Sequence, residues 1–280
     1  MKKLVSLLLV VAMLATLCCA CGDDKAAKVV EIDLTTEEYA FGVDKNNPDL
    51  LKKTNEFITK IMEDGTFDDI CNRYFDDKDG NEKAVASAKQ GDRSKQLWVA
   101  TNAEFAPFEY KKGNSYYGID MEIAAALAKF LGKELVILDM EFDSVCLSVG
   151  QSKADIAMAG LTVQEDRKEH VTFTSTYYKA SQRIITTESD DTFEGCKTGA
   201  DVLKRLQSMD EKVKIGYQNG TTGQQYVKSE GDYQSNKLKV TGTGYQNGVL
   251  AVQDLINGKV DYVVIDAAPA NAIVKSLNGK

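Results

Sequence analysis

The sequence predicts an α/β protein, and three observations carry that reading. Short apolar runs of strand length alternate with stretches of helical spacing from residue 97 onward. Hydrophobic residues make up 43% and charged residues 27%, a mix that buries a core and keeps a polar surface. At 280 residues the chain has room for two modest domains or one large one. Its formal charge of −8 argues against nucleic acid as a partner. With His170 as the one histidine, neither a His-based metal site nor a catalytic histidine triad is expected, and no cofactor is implied.

The first residues set the compartment. Met1, Lys2 and Lys3 form a basic start, followed by an apolar run over 4–17. That run is shorter than the roughly 20 residues of a membrane-spanning helix, so residues 1–21 read as an export signal. It ends in Cys18, Cys19, Ala20 and Cys21, and Ala20 before Cys21 resembles a bacterial lipobox. The resemblance implies that Cys21, or alternatively Cys19, is lipidated and ties the protein to the membrane. A soluble secreted protein cleaved nearby is the competing reading. Beyond Cys21 stand only Cys71, Cys146 and Cys196, an odd number with no C-x-x-C spacing, so no zinc site or disulfide framework is indicated. Cys146 reads as core.

Strands are expected over 29–32 and 39–43. Pro48 opens a helix with Leu50, Leu51, Phe57, Ile58, Ile61 and Met62 on one face, and Gly65 stops it. Thr66 caps a second helix holding Phe67, Ile70 and Tyr74. These helices are too apolar to stand alone and must dock. Residues 76–96 are charged and aperiodic, and read as a linker. A strand over 97–100 follows. Then Ile119, Ile123, Leu127, Phe130 and Leu131 recur at helical spacing up to Gly132. A strand over 135–138, a helix over 144–150 and a strand over 156–159 come next. After Tyr177 and Tyr178 the pattern restarts with strand 183–186, helix 200–209, strand 213–216 and helix 223–228. Strand 238–240, helix 247–257, strand 260–265 and helix 267–277 close the chain.

Five segments, taken together and in order, resemble the bacterial solute-binding proteins of family 3, which serve amino-acid ABC importers. They are ATNAEFAPFE at 100–109, GIDMEI at 118–123, ADIAMAGLTVQEDR at 154–167 with Phe173, Tyr177 and Tyr178 after it, IGYQNGTT at 215–222, and GKVDYVVID at 258–266. The resemblance implies a two-lobed, type II periplasmic-binding-protein-like α/β fold with a hinge crossed twice. Its closing elements, a Phe-Gly strand and two helices ending in a Tyr-Phe pair, match residues 28–75 rather than anything after Lys280. The order is therefore that of a circular permutant. One lobe would hold 37–75 and 97–178, joined by 76–96, and the other 179–280, with 29–36 returning as its strand and hinge segment. Surface termini that lie close together make such a rearrangement tolerable.

A free amino acid offers a carboxylate, an ammonium and a side chain. Arg167 presents a planar fork suited to a carboxylate, just past a strand end where α/β folds place ligands. A surface arginine paired with Glu165 or Glu169 is the alternative. Thr221 and Thr222 follow Gly220 ahead of a helix, so their N–H groups suit an anion, or simply cap that helix. Asp266 ends an apolar strand, where an ammonium partner or the next helix would relieve its burial. By resemblance, Phe105 and Phe142 sandwich the ligand's stem, Gly160 offers its carbonyl and Thr162 its hydroxyl to the ammonium, and Ala159 leaves room. Asn102, Glu104 and Gln218 would face the side-chain end; Phe108 and Tyr110 read as core. Basic-amino-acid binders of the family often carry an acid where Asn102 stands, so a polar uncharged or sulfur-containing amino acid is expected. The resemblance thus implies a monomeric, non-enzymatic binding component with a free amino acid and importer permeases as partners. An amino-acid-sensing receptor domain and a dehydratase-like enzyme are the alternatives.

Overall fold

The computed structural model describes residues 26–75 and 81–279. The expected export signal and the expected lipidation position, Cys21 or Cys19, lie outside the described residues. From the N-terminus run β1 (Ala27–Val30), β2 (Glu37–Tyr39), β3 (Gly42–Asp44), α1 (Pro48–Glu63) and α2 (Thr66–Phe75). Next come β4 (Gln96–Thr101), β5 (Glu104–Phe105), β6 (Glu109–Lys112), β7 (Ser115–Tyr117), α3 (Ile119–Phe130), β8 (Glu134–Asp139) and α4 (Phe142–Gly150). They are followed by β9 (Ile156–Ala157), α5 (Glu165–Lys168), β10 (Val171–Phe173) and β11 (Tyr178–Ala180). The remainder is β12 (Gln182–Thr187), α6 (Gly199–Gln207), β13 (Lys214–Gln218), α7 (Thr222–Lys228), a 3-10 turn (Gly231–Asn236), β14 (Thr241–Tyr245), α8 (Gly248–Ile256), β15 (Tyr262–Asp266) and α9 (Ala267–Leu277).

Ten of the strands form two five-stranded sheets, ordered β10-β3-β9-β4-β8 in the first lobe and β1-β12-β15-β13-β14 in the second, and β5, β6 and β7 form a separate antiparallel three-stranded sheet. The N-terminal block serves both. β1 pairs antiparallel with β12 in the second lobe, and β3 pairs with β9 and β10 in the first. Between them β2 pairs antiparallel with β11, so the two chain passages between lobes lie side by side. Ala27 and Asn278 also meet: the Asn278 amide donates to the Ala27 carbonyl (2.8 Å) and accepts the Ala27 N–H (3.2 Å).

The helices form for local reasons. Pro48 stands in the first turn of α1, where its missing N–H costs nothing, and the Asn47 side chain accepts the Leu50 N–H (3.1 Å). Leu50, Phe57, Ile58 and Ile61 then bury on one face, as the spacing predicts, whereas Leu51 is half-buried and Met62, expected on the same face, is exposed. Thr198 and Asp201 form a reciprocal capping box on α6.

Three expectations need correction. The strand expected over 39–43 is two strands, because β2 pairs at the hinge while β3 pairs in the first lobe's sheet. Ala40 spans the break, donating to Leu161 O (3.0 Å). Gly42 is required there: a Cβ would lie 2.8 Å from Val171 Cγ2. The strand expected over 238–240 lies instead at 241–245, with Leu238 and Val240 packing on the second lobe's core from irregular backbone. The supposed linker is, over 81–95, a strap. Val85 and Tyr116 exchange backbone hydrogen bonds (2.8 and 3.1 Å), and Ala88 donates to Leu135 O (2.8 Å). Ile137 N–H donates to Ser87 Oγ (2.9 Å). Val85 is the apolar anchor in a polar run, and the strap satisfies groups along edge strand β8.

Candidate functional site

The lobes meet along a seam of side chains carried by strand ends. Arg167 sits on short α5 and is only 8% exposed. Its Nη1 donates to Thr162 O (2.9 Å) within its own lobe, and its Nη2 donates across the seam to Gly220 O (3.2 Å). Its guanidinium lies 5.2 Å from the Phe142 ring centroid, a cation–π contact. Among the described residues it forms no ion pair, so the surface pairing with Glu165 or Glu169 is not what the structure shows; Glu165 pairs with Lys168.

Thr162 joins that cation to an acidic pair. Its hydroxyl donates to Glu37 Oε2 (2.7 Å), and Glu37 also accepts from the Thr35 hydroxyl (2.6 Å) and weakly from Gln182 Nε2 (3.4 Å). Asp266, at the end of β15, accepts the Tyr39 hydroxyl (2.6 Å) and stands opposite Gln182 in the sheet. Burial first, then the charge of Glu37, pushes the Asp266 carboxyl up to about 7, against the Tyr39 and Gln182 hydrogen bonds that hold it down. Although Asp266 occupies the N-cap position of α9, its side chain makes no capping bond. Gln182 Oε1 is buried there without a hydrogen-bond partner among the described residues.

Beneath this pair lies a second buried acidic group. Asp120 accepts the Gly160 N–H (2.9 Å) and the Tyr177 hydroxyl (2.7 Å), fixing the loop that carries Thr162, and burial raises its carboxyl to about 7. Glu109 is wholly buried with neither oxygen partnered among the described residues. Burial, then the charges of Asp120 and Asp266, raises it far above the usual carboxylate range. Gly160 has φ +54°, and a Cβ on it would meet the Phe105 and Tyr39 rings at 3.0 and 3.4 Å. Phe105 and Ala159 are buried beside this loop, as is Phe108, while Tyr110 is half-buried with its hydroxyl on Glu82 (2.6 Å).

Across the seam, the Thr221 hydroxyl donates to Gln218 O (2.7 Å) and accepts the Gln224 N–H (3.3 Å), so its side chain is an N-cap; Thr222 behind it is buried. Gln218 Nε2 donates to Asn102 Oδ1 (2.9 Å), bridging the lobes. Glu104 is exposed and accepts from Asn247 Nδ2. It borders a cavity of about 580 Å³ between the lobes, which Asp139 and Leu250 also line.

The structure thus gathers Arg167, Thr162, Gly160, Phe105, Asp266, Asn102 and Gln218 along one interlobe seam. Sequence reasoning missed Glu37, Tyr39 and Gln182. Glu37 and Tyr39 sit two apart on β2 and are both buried, with Glu38 exposed between them, so strand alternation held the signal. Chemically, the seam sets a buried guanidinium and a buried carboxylate pair on either side of Thr162, an arrangement suited to a small dipolar molecule.

Residues 97–263 match the model of the bacterial extracellular solute-binding proteins, family 3. The chain belongs to this family. This solute-binding protein is 28% identical over 195 residues to the arginine-binding extracellular protein ArtP of Bacillus subtilis, covering 69% of this chain and 70% of that one. It is similar to the solved structure of an ancestral arginine-binding protein bound to arginine, with a TM-score of 0.56 and 34% identity over 66% of this chain and 75% of the other. A more distant likeness, 24% identical over 62% of this chain and 60% of the relative, is to the cyclohexadienyl dehydratase of Pseudomonas aeruginosa. The family's two-lobed α/β architecture is the one described above.

Proposed function

We propose that this chain is the extracytoplasmic substrate-binding component of an ABC importer and holds a free polar amino acid between its closing lobes. The carrying observation is the Thr162 junction, which separates Arg167 from the Glu37–Asp266 pair by one residue's hydrogen bonds. Arg167 would grip the α-carboxylate, with the N–H groups of Thr221 and Thr222 beside it. Asp266 would face the α-ammonium. Because the Thr162 hydroxyl spends its proton on Glu37, its lone pairs are free to accept from that ammonium, as is Gln182 Oε1, and the Gly160 carbonyl would accept beside them. Phe105 and Phe142 would flank the stem, with Ala159 giving it space. Lobe closure would then follow from tighter ligand contacts in the closed form.

The order of the chain fits a circular permutation within one molecule. The pairing of Ala27 with Asn278 supports a family chain joined there and opened elsewhere, with the strap completing the new path. A sequential alignment follows only one side of such a break, in keeping with relatives that match about two thirds of the chain. The export signal and Cys21 support lipid anchoring outside the cell membrane, and the family supports permease partners. A dehydratase reading draws on the likeness to that enzyme and on the raised Asp266 carboxyl as a proton donor; release of water from a cyclohexadienyl substrate would favour it over simple binding.

A thermal-shift screen against the common amino acids tests the binding reading. Ligand at a hundredfold its Kd adds about 2.7 kcal/mol of stability, so at least one polar amino acid is expected to raise Tm by several degrees. A flat response to all of them would sink the proposal.

A further inference from the structure

We infer that Gln225 is a positioning residue, which ties the helix carrying Arg167 to the second lobe when the lobes meet. The inference rests on the amino-acid reading above, in which Arg167 grips the α-carboxylate. Helix α5 is a single turn of four residues, and Gln164 occupies its N-cap position without a side-chain capping bond. The Gln164 amide instead reaches across the seam, where its Nε2 donates to Gln225 Oε1 (2.8 Å). Gln225 Nε2 in turn donates to Oδ2 of Asp166, the residue before Arg167 (3.0 Å). The orientation has one solution. An Asp166 carboxylate can only accept, so the Gln225 atom on it is the nitrogen, and the oxygen is left for Gln164 Nε2. One second-lobe amide therefore holds the turn both at its N-cap and beside Arg167.

Both ends of this clamp are anchored. Asp166 Oδ1 accepts the Arg167 N–H (2.8 Å), so the carboxylate that Gln225 holds is fastened to the Arg167 backbone. On the other side, Gln225 belongs to α7, and its carbonyl accepts the Glu230 N–H (2.9 Å). A Cβ on Gly231 would lie 2.7 Å from Gln225 Oε1, so the glycine keeps that seat open. Gln225 follows Thr221 by four residues, which puts it one turn along on the same helix face. Helix α7 thus offers N–H groups to the ligand carboxylate at its start and steadies Arg167 from its next turn. These bonds exist only while the lobes are together, so they favour the closed form alone. They touch no part of the ligand, so their contribution is the same for every amino acid.

The experiment is calorimetric titration of the full mature chain with the common L-amino acids. Every binder is then repeated on Gln225→Ala, on Gln225→Glu, and on Gln225→Glu combined with Asp166→Asn. Gln225→Ala should weaken all binders by a common factor of about five to thirty, the loss of two hydrogen bonds, one of them to a carboxylate. Gln225→Glu sets two carboxylates against each other and should weaken binding at least as far. The combined variant exchanges donor and acceptor across the seam, and affinity should return to within about threefold of native. Damage to packing alone would not be reversed by that exchange. Affinities in the Gln225→Ala protein within about twofold of native would overturn the inference, as would a Gln225→Glu loss that Asp166→Asn leaves in place. So would a loss that differs about tenfold between ligands, which would put Gln225 on the ligand itself. If Gln225→Ala does not fold, Gln225→Glu and its combination with Asp166→Asn decide the matter. If Arg167→Ala abolishes binding while the Gln225 variants keep native affinity, this inference falls and the amino-acid reading stands; if no amino acid binds the native chain, both fall.

Discussion

Arg167→Ala is expected to weaken amino-acid binding by about 2–5 kcal/mol, the range for removing one partner of a buried charged pair. That is tens- to thousands-fold in Kd. The size follows from the surroundings of Arg167. It is buried, among the described residues it has no anionic partner, and its guanidinium rests on two carbonyls and the Phe142 ring. A ligand carboxylate would be its only full counter-charge, and a guanidinium offers two parallel donors to such a group. Arg167→Lys keeps the charge but loses the fork and its reach across the seam to Gly220, so it should fall between the native protein and the alanine variant. Calorimetry at fixed pH, using whichever amino acid shifts Tm, reads the effect directly. Circular dichroism should show both variants folded, since α5 is only four residues long and its other side chains are exposed. An unchanged Kd in a folded Arg167→Ala protein would remove the residue from the site.

How far the sequence could be read depended on which physical signal each element carries. Helix α1 announces itself through Pro48, its Asn47 cap and a periodic apolar face, and the structure has it where those residues place it. Strand β14 carries almost no signal. Its sequence TGTGY lies at a sheet edge, mostly exposed, while the neighbouring Leu238 and Val240 are apolar for packing alone. The strap failed for a related reason, since its pairing goes through backbone groups and one valine rather than a repeating pattern. At the site, Arg167 and Asp266 stood out because a charge at the end of an apolar run demands an explanation. Glu37 did not. Its run is polar, and nothing local shows that Thr162, far along the chain, will donate to it. The amide bridge from Gln218 to Asn102 was equally out of reach, because orientation there is set by the Met140 carbonyl in three dimensions.

Affinity should fall on acidification, by about tenfold per pH unit below about 7, and be flat above it. The cause is the Asp266 carboxyl, held near 7 by burial and by the charge of Glu37. An α-ammonium beside it favours the ionised form, so its pKa in the complex lies lower. Between those two values the unliganded protein carries a proton that must leave on binding, and each pH unit lost therefore costs one decade in Kd. Glu37 and Tyr39 face Asp266 from the hinge strand and Gln182 from the adjacent strand, with Glu109 close enough for its charge to be felt. Asp266→Asn cannot titrate, so it should bind weakly with no slope. Tyr39→Phe gives the sharper test. The tyrosine hydroxyl stabilises the ionised carboxyl through a 2.6 Å bond, and its removal should shift the onset of the slope to higher pH while leaving the slope itself at one proton. A native Kd that stays constant from about pH 5 to 8 would show that Asp266 does not meet the ammonium, since a buried carboxyl poised near neutrality cannot change partner without changing its proton.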